Sequence, residues 1–196
     1  MLVFALLLGC KGDKNEKPAA ADLLPVEGLA AVPARVNVVI AADLVKLGRA
    51  PLVRRAASEV LARDSELEKR VVDLMDSCGL QLGKDVGGLV LAMGESRERS
   101  LLVARGRFQE ATLAGCVGKS VTQSGGELTR EERGGRIVYR AQGTRGQRPV
   151  FFALGSPRSL LVASSEEMLL ESLGAEQRLA DNRRLGELMT RADTSA

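Results

Sequence analysis

The 196-residue chain contains no histidine and no tryptophan, and it has only one tyrosine and four phenylalanines. Without histidine, it can form neither a Ser-His-Asp nor a Cys-His catalytic site, nor a metal site with a histidine ligand. With so few aromatic side chains, it offers little surface on which bases could stack, so we expect no nucleic-acid partner. The sequence also lacks an uninterrupted run of 18 apolar residues, which is the usual mark of a transmembrane helix.

The composition is that of a globular domain with a hydrophobic core. Hydrophobic residues make up 45% of the chain and charged residues 27%, and the 28 basic residues are nearly balanced by 25 acidic ones. The glycines are scattered and form no phosphate-binding loop, and no motif predicts a cofactor or a metal ion. The composition therefore predicts a folded domain without pointing to a catalytic site.

The N-terminus begins with an apolar run, residues 2–8, that leads directly into a cysteine. Leu7-Leu8-Gly9-Cys10 resembles the lipobox of Gram-negative bacterial lipoproteins. In that family the signal peptide is cleaved before the cysteine, whose thiol receives a diacylglycerol and whose amine is usually acylated as well. Two or three acyl chains anchor a protein stably to a membrane. The resemblance therefore implies a signal peptide over residues 1–9 and a lipid anchor at Cys10.

The segment that follows Cys10 is polar and rich in lysine and alanine, which is typical of a flexible tether, and we place this tether over residues 10–29. Lys11 stands where inner-membrane lipoproteins of enteric bacteria carry aspartate. The resemblance thus implies an outer-membrane location facing the periplasm or the cell surface. Because only Met1 precedes the apolar run, we expect that the natural start lies upstream or that the gene is clipped. The alternative is a cytosolic protein whose first residues form a buried strand with a free cysteine.

The rest of the sequence reads as one α+β domain over residues 30–196, with a mostly antiparallel sheet and helices packed on one of its faces. We expect the first strand to be buried. Asp43, which follows it, is expected to cap a short helical turn. No element follows the last helix, so we expect the chain to continue beyond residue 196. The predicted strands are 35–42, 89–93, 100–104, 127–133, 136–141, 149–154 and 159–163, and the predicted helices are 51–61, 65–75, 108–117, 166–173 and 181–191.

An identical pentapeptide, SLLVA, occurs at residues 100–104 and 159–163. Each copy follows a strand and a turn and leads into a predicted helix, so a degenerate internal duplication is the expectation, with chance identity as the alternative. The order of Val32-Pro33, the strand before Asp43, Cys78-Gly79-Leu80 and Asp85-Val86 resembles a family of exported Gram-negative lipoproteins with repeated sheet-and-helix units. That resemblance implies no catalytic residues.

Two cysteines remain once Cys10 is assigned to the lipid. Export would place Cys78 and Cys116 in an oxidising compartment, where a disulfide between them is expected. Both have apolar neighbours in the sequence, so two buried free thiols are the alternative.

Charged clusters supply the remaining candidates. Arg130, Arg133, Arg136 and Arg140 lie in the predicted hairpin, where they could bind an anion or form a solvated face balanced by nearby glutamates. We expect a membrane-anchored envelope lipoprotein with a non-catalytic role in partner binding or assembly, its partner being an envelope protein. A binding module for an anionic envelope ligand is the first alternative. A carboxylate-based hydrolase is the second, and its candidate acids are Glu131, Glu132, Glu166, Glu167, Asp73 and Asp76.

Overall fold

The computed structural model describes residues 25–51, 76–81, 84–96, 99–144, 147–174 and 178–181. The expectations for the signal peptide, Cys10, the tether up to residue 24, the helical pattern over 52–75, Asp73 and the helix over 182–191 lie outside these residues. The described strands are β1 (Val38–Asp43), β2 (Val86–Met93), β3 (Ser100–Gly106), β4 (Glu127–Arg133), β5 (Arg136–Gln142), β6 (Val150–Ser156) and β7 (Ser159–Ala163). The helices whose bounds lie within the described residues are α1 (Leu44–Arg49), α2 (Glu110–Gln123) and α3 (Glu166–Gly174), with short 3-10 turns at Gly28–Ala31 and Leu179–Asp181.

All seven strands form one sheet in the order β1-β2-β3-β7-β6-β5-β4, and every neighbouring pair is antiparallel. The α+β class with an antiparallel sheet is therefore confirmed. The two hairpins β2-β3 and β6-β7 meet at the centre, and the hairpin β4-β5 forms one edge. Two pairs of neighbouring strands are far apart in the sequence: β1 and β2, and the central pair β3 and β7.

The helices are divided between the two faces of the sheet, which differs from the expected single helical layer. On one face, which we call the first face, Val103 and Leu161 pack in a core cluster with Met168 and Leu169 of α3. On the opposite, second face, the Tyr139 hydroxyl donates a hydrogen bond of 2.8 Å to Glu110 of α2. The division follows from strand geometry, because successive residues of a strand point to opposite faces and each face is apolar enough to require cover.

The two SLLVA segments occupy the central strands β3 and β7, but they are out of phase. Leu101 is fully buried on the first face, but Leu160, at the same position of the pentapeptide, is half-buried on the second. Conversely, Leu161 is fully buried on the first face, but its counterpart Leu102 is half-buried on the second. Corresponding residues therefore face opposite sides of the sheet, and a two-fold rotation cannot superimpose the two units. The expected duplication gains no support from the register of the sheet.

The folded domain includes residues that the sequence assigned to the tether. Val26 is 1% exposed, and its N–H donates a hydrogen bond to the carbonyl of Gly155. Farther along, Pro33 forms an isolated β-bridge with Arg178, which is near the C-terminal end of the described residues. The segments before β1 and after α3 thus join beneath the first face and close its core.

Local signals in the sequence place most turns and caps. Asp43 accepts hydrogen bonds from the Val45 and Lys46 N–H groups at the start of α1. Ser165 accepts one from Met168 N–H at the start of α3. Gly134 and Gly135 both have positive φ angles, of 56° and 76°, in the turn between β4 and β5. Such a two-residue turn matches the twist of the two strands that it joins.

β1 differs from the expected buried strand. It lies at the edge of the sheet, and Val38 and Ile40 are 42% and 53% exposed. The sequence pattern of this strand is apolar on both faces, and such a pattern does not distinguish a central strand from an edge strand.

Candidate functional site

A concave groove lies at one end of the sheet, where β2 begins and β3 ends. The turn between β6 and β7, the first turn of α2 and the segment around Cys78 form its other walls, and its volume is about 860 Å³. Three backbone hydrogen bonds build this end of the sheet: Gly106 N–H to the Arg158 carbonyl, Phe108 N–H to the Pro157 carbonyl and Arg107 N–H to the Asp85 carbonyl. Backbone hydrogen bonds, and not side-chain contacts alone, therefore hold the walls of the groove together.

Glycine at position 106 is required by this construction. A Cβ atom there would lie 2.1 Å from the Asp85 carbonyl oxygen and 3.0 Å from the Phe108 ring. Gly106 does not have a positive φ angle, so backbone conformation is not the reason that glycine is needed at this position. The role of Gly106 is therefore the close approach of two backbone segments.

Four cationic side chains line the groove, Lys84, Arg105, Arg107 and Arg158, and all four residues are exposed. Asp85 is the single carboxylate among the described lining residues, and it accepts a hydrogen bond of 2.9 Å from Gln81 N–H. Among the described residues, Lys84, Arg107 and Arg158 have no ion pair through their side chains. The groove thus presents a net positive surface with charges available to a ligand.

Arg105 also interacts with the neighbouring strand. It lies opposite Gly88 in the register, and Gly88 lies opposite Asp43 of β1. The pKa of Asp43 is lowered chiefly by the hydrogen bond from Lys46 N–H, and the positive charge of Arg105 contributes in the same direction. Because Gly88 has no side chain, the Arg105 guanidinium can lie over β2 toward this carboxylate.

The floor of the groove is apolar and is tied by a disulfide. Cys78 and Cys116 form a disulfide with a Cα–Cα distance of 5.1 Å, across a sequence separation of 38 residues. Both residues are 7% exposed, and Cys78 lines the groove beside Leu80, Phe108 and Leu113. The structure therefore brings the two cysteines together, and the bond holds the segment before β2 against α2.

The hairpin arginines proposed from the sequence do not converge on one site. Arg133, Arg136 and Arg140 extend from the first face, whereas Arg130 lies opposite Tyr139 on the second face. Arg133 pairs with Glu131 and Glu166, and these contacts raise its pKa, the hydrogen bond to Glu166 having the largest effect.

Each of the other three arginines also contacts a neighbouring group. The Arg136 guanidinium donates to the Gly155 carbonyl and Arg140 donates to Gln142. Arg130 acts on the Tyr139 hydroxyl in the direction that lowers its pKa. The hairpin is therefore a charged edge with internal pairing, whereas Lys84, Arg107 and Arg158 of the groove have no ion pair among the described residues.

The candidate carboxylate pairs are likewise separated or engaged by arginine. Glu131 and Glu132 point to opposite faces of β4, because they are neighbours in one strand. Glu167 and Glu171 of α3 both pair with Arg99, at 3.2 and 2.6 Å. These contacts attach α3 to the turn between β2 and β3. Asp76 is an exposed residue. The arginine contacts give Glu131, Glu166, Glu167 and Glu171 a structural role.

Sequence reasoning missed the groove because its cations come from three separate segments. Residue 84 precedes β2, residues 105–107 end β3 and residue 158 lies in the β6-β7 turn. The Arg105-Gly106-Arg107 triplet at the end of a strand was the one local signal.

The described residues contain no group of three or more side chains suited to hold a metal ion. In the same part of the chain, no helix has both the length and the apolar character needed to cross a membrane. Comparisons with protein-family models, with curated proteins and with solved structures found no match to this chain.

Proposed function

We propose that this chain is an exported lipoprotein, anchored in the cell envelope through Cys10, whose α+β domain acts as a non-catalytic binding module. The groove beside the Cys78–Cys116 disulfide is its binding site, and the partner is an anionic molecule or the anionic surface of an envelope protein. The lipobox-like Leu7-Leu8-Gly9-Cys10 supports the anchor. An outer-membrane location facing the periplasm or the cell surface remains part of this proposal.

One observation carries the binding site. Lys84, Arg107 and Arg158, which have no ion pair among the described residues, line a concave cavity with Arg105 and one described carboxylate, Asp85. Guanidinium groups bind phosphate and carboxylate oxygens through paired, charge-assisted hydrogen bonds. The apolar floor adds contact area for a ligand that is not purely ionic, as most small-molecule sites do. An anionic ligand therefore fits the groove better than it fits the internally paired hairpin.

The test measures binding of inorganic pyrophosphate to the full chain by calorimetry, with the double variant Arg107→Gln and Arg158→Gln. We expect the variant to lose about tenfold or more in affinity, since a hydrogen bond to a charged group contributes roughly 1.5–3 kcal/mol. The matched control is Arg35→Gln with Arg140→Gln, which removes the same charge from exposed positions outside the groove. If both double variants lose the same affinity for pyrophosphate, the loss comes from the overall charge of the protein, and the groove is not the binding site.

A second measurement separates a soluble ligand from a membrane headgroup. Vesicles of anionic phospholipid and vesicles of neutral phosphatidylcholine are compared for binding to the same proteins. Groove-dependent binding to the anionic vesicles alone would identify a lipid headgroup as the source of the anion. Failure of both pyrophosphate and anionic vesicles to bind would overturn the proposed anionic ligand.

A further inference from the structure

The two edges of the sheet differ sharply in chemistry. At the edge formed by β4, five of seven side chains are charged: Glu127, Arg130, Glu131, Glu132 and Arg133. At the other edge, β1 reads VVIAAD and has no charge before its last residue. Charged side chains are a common means of preventing edge strands from pairing with other chains, and β1 lacks this protection.

The outer side of β1 is available for pairing. All six residues pair with β2 on the inner side, from Val38 opposite Met93 to Asp43 opposite Gly88. Among the described residues, no strand lies on the outer side. Alternate residues of an edge strand direct their N–H and C=O groups away from the sheet, where another strand can bond to them. Val38 and Ile40 stand together on the second face and are the two most exposed large apolar side chains of this strand.

We propose that β1 pairs antiparallel with β1 of a second copy of this chain, which joins two sheets into one across a two-fold axis. A two-fold axis that passes through Ile40 places Ile40 against Ile40 of the partner copy and Val38 against Ala42. All these side chains then lie on the second face, so the exposed apolar groups cover one another.

The charge pattern around β1 also fits pairing with itself. In this register, Asp43 lies opposite Asn37 of the partner copy, so its carboxylate faces an amide and not another carboxylate. Like charges directly opposite each other would destabilise the pair. Because the interface is isologous and the β4 edge is charged, association closes at two copies and does not continue as a chain.

The interface is small, since six residues of one strand bury less surface than a standard protein interface. We therefore expect a weak dimer, with a Kd that is roughly micromolar or higher. If the anchor proposed above is present, attachment to one membrane would raise the local concentration and favour the pair. The dimer itself depends on β1 alone and does not require the anionic ligand.

Sedimentation of the full chain in mild detergent tests the proposal, with Ile40→Lys as the variant and Val150→Lys as the control. Val150 is 42% exposed and lies on β6, four strands from β1 in the sheet. We expect a concentration-dependent dimer for the unmodified chain and for Val150→Lys, and at least about tenfold weaker association for Ile40→Lys. A dimer that is unaffected by Ile40→Lys, or a species larger than two copies, would contradict the proposal.

Cysteine crosslinking tests the register and does not depend on how well the lysine variant folds. Under mild oxidation, Ile40→Cys should form a disulfide-linked dimer, because opposed residues of an antiparallel pair have Cα atoms about 4.5–5.5 Å apart. Val150→Cys should stay monomeric under the same conditions. A purified chain that remains monomeric at every concentration and gives no crosslink at position 40 would overturn self-pairing. That conclusion would hold even if β1 were found to bind a strand of a different protein.

Discussion

Tyr139 is the single tyrosine of the chain, and it connects the sheet to α2. Its ring stacks on Phe152 of the neighbouring strand, with ring centroids 4.8 Å apart and an angle of 10° between the planes. Its hydroxyl donates a hydrogen bond to the Glu110 carboxylate. Burial raises the pKa of Tyr139, and the bond to Glu110 raises it further, whereas Arg130 acts in the opposite direction. The neutral hydroxyl is therefore the form that the folded domain stabilises.

This environment predicts how the domain responds to alkaline pH. Because the pKa of Tyr139 is raised above its ordinary value of 10.0, its contribution to stability is complete below pH 10.0 and is lost as the pH rises through the folded-state pKa. The tyrosinate absorbance should titrate above pH 10.0 in the folded chain and at its ordinary value in urea. Glu110→Gln should lower the folded midpoint, and Glu127→Gln, at a remote position on β4, should not. A folded midpoint at or below 10.0 would show that the hydroxyl is not held in this way.

At the scale of elements, the end of β3 depends on close backbone approach. Gly106 lies between the Asp85 carbonyl, the Phe108 ring and the β6-β7 turn, and no side chain fits there without displacement of the backbone. Gly115 in α2 is the opposite case, because an added Cβ would meet nothing within 4 Å. One glycine is required by packing between elements, and the other only weakens its helix.

These two positions give opposite predictions for the same substitution. Gly106→Ala should lower the free energy of unfolding by about 1–3 kcal/mol, the usual effect of overpacking. Gly115→Ala should raise it by about 0.5–1 kcal/mol, because alanine favours a helix interior over glycine. Urea denaturation of both variants measures the difference. If both changes have the same sign, the packing assigned to Gly106 is incorrect.

At the scale of the whole molecule, the proposed function makes the Cys78–Cys116 disulfide and the lipid anchor depend on the same event, which is export. The disulfide closes a loop of 38 residues and ties the segment before β2 to α2. In the chain-entropy model a loop of this length stabilises the fold by about 4 kcal/mol. Oxidation after export would therefore stabilise the groove that the two segments share.

Mass spectrometry of the full protein isolated from native membranes tests both features. We expect a chain that begins at residue 10 with acyl groups attached, and no thiol that can be alkylated before reduction. Cys10→Ser should leave the membrane fraction and keep the disulfide. Replacing Cys78 and Cys116 together by serine should keep the anchor and lower stability by about 4 kcal/mol. An unacylated wild-type chain would reject the anchor, and two alkylatable thiols would reject the disulfide.

The sequence by itself determined the local elements, because their signals act over a few residues. Gly134-Gly135 supplies the positive φ angles of a hairpin turn, and Asp43 and Ser165 supply caps to adjacent N–H groups. The sequence pattern placed the described strands to within three residues at each end, whereas the helix predicted over 108–117 continues to Gln123. The α+β class followed from the order of these elements.

Only the tertiary structure decided which elements become neighbours. β1 has an apolar pattern that suits a buried strand, yet its place in the strand order leaves it at an edge. The two SLLVA segments have the same residues but opposite buried faces, because a shift of one residue in register reverses every side chain. Lys84, Arg107 and Arg158 come together only after the sheet has formed. Register and strand order depend on contacts between distant residues, and no local pattern specifies those contacts.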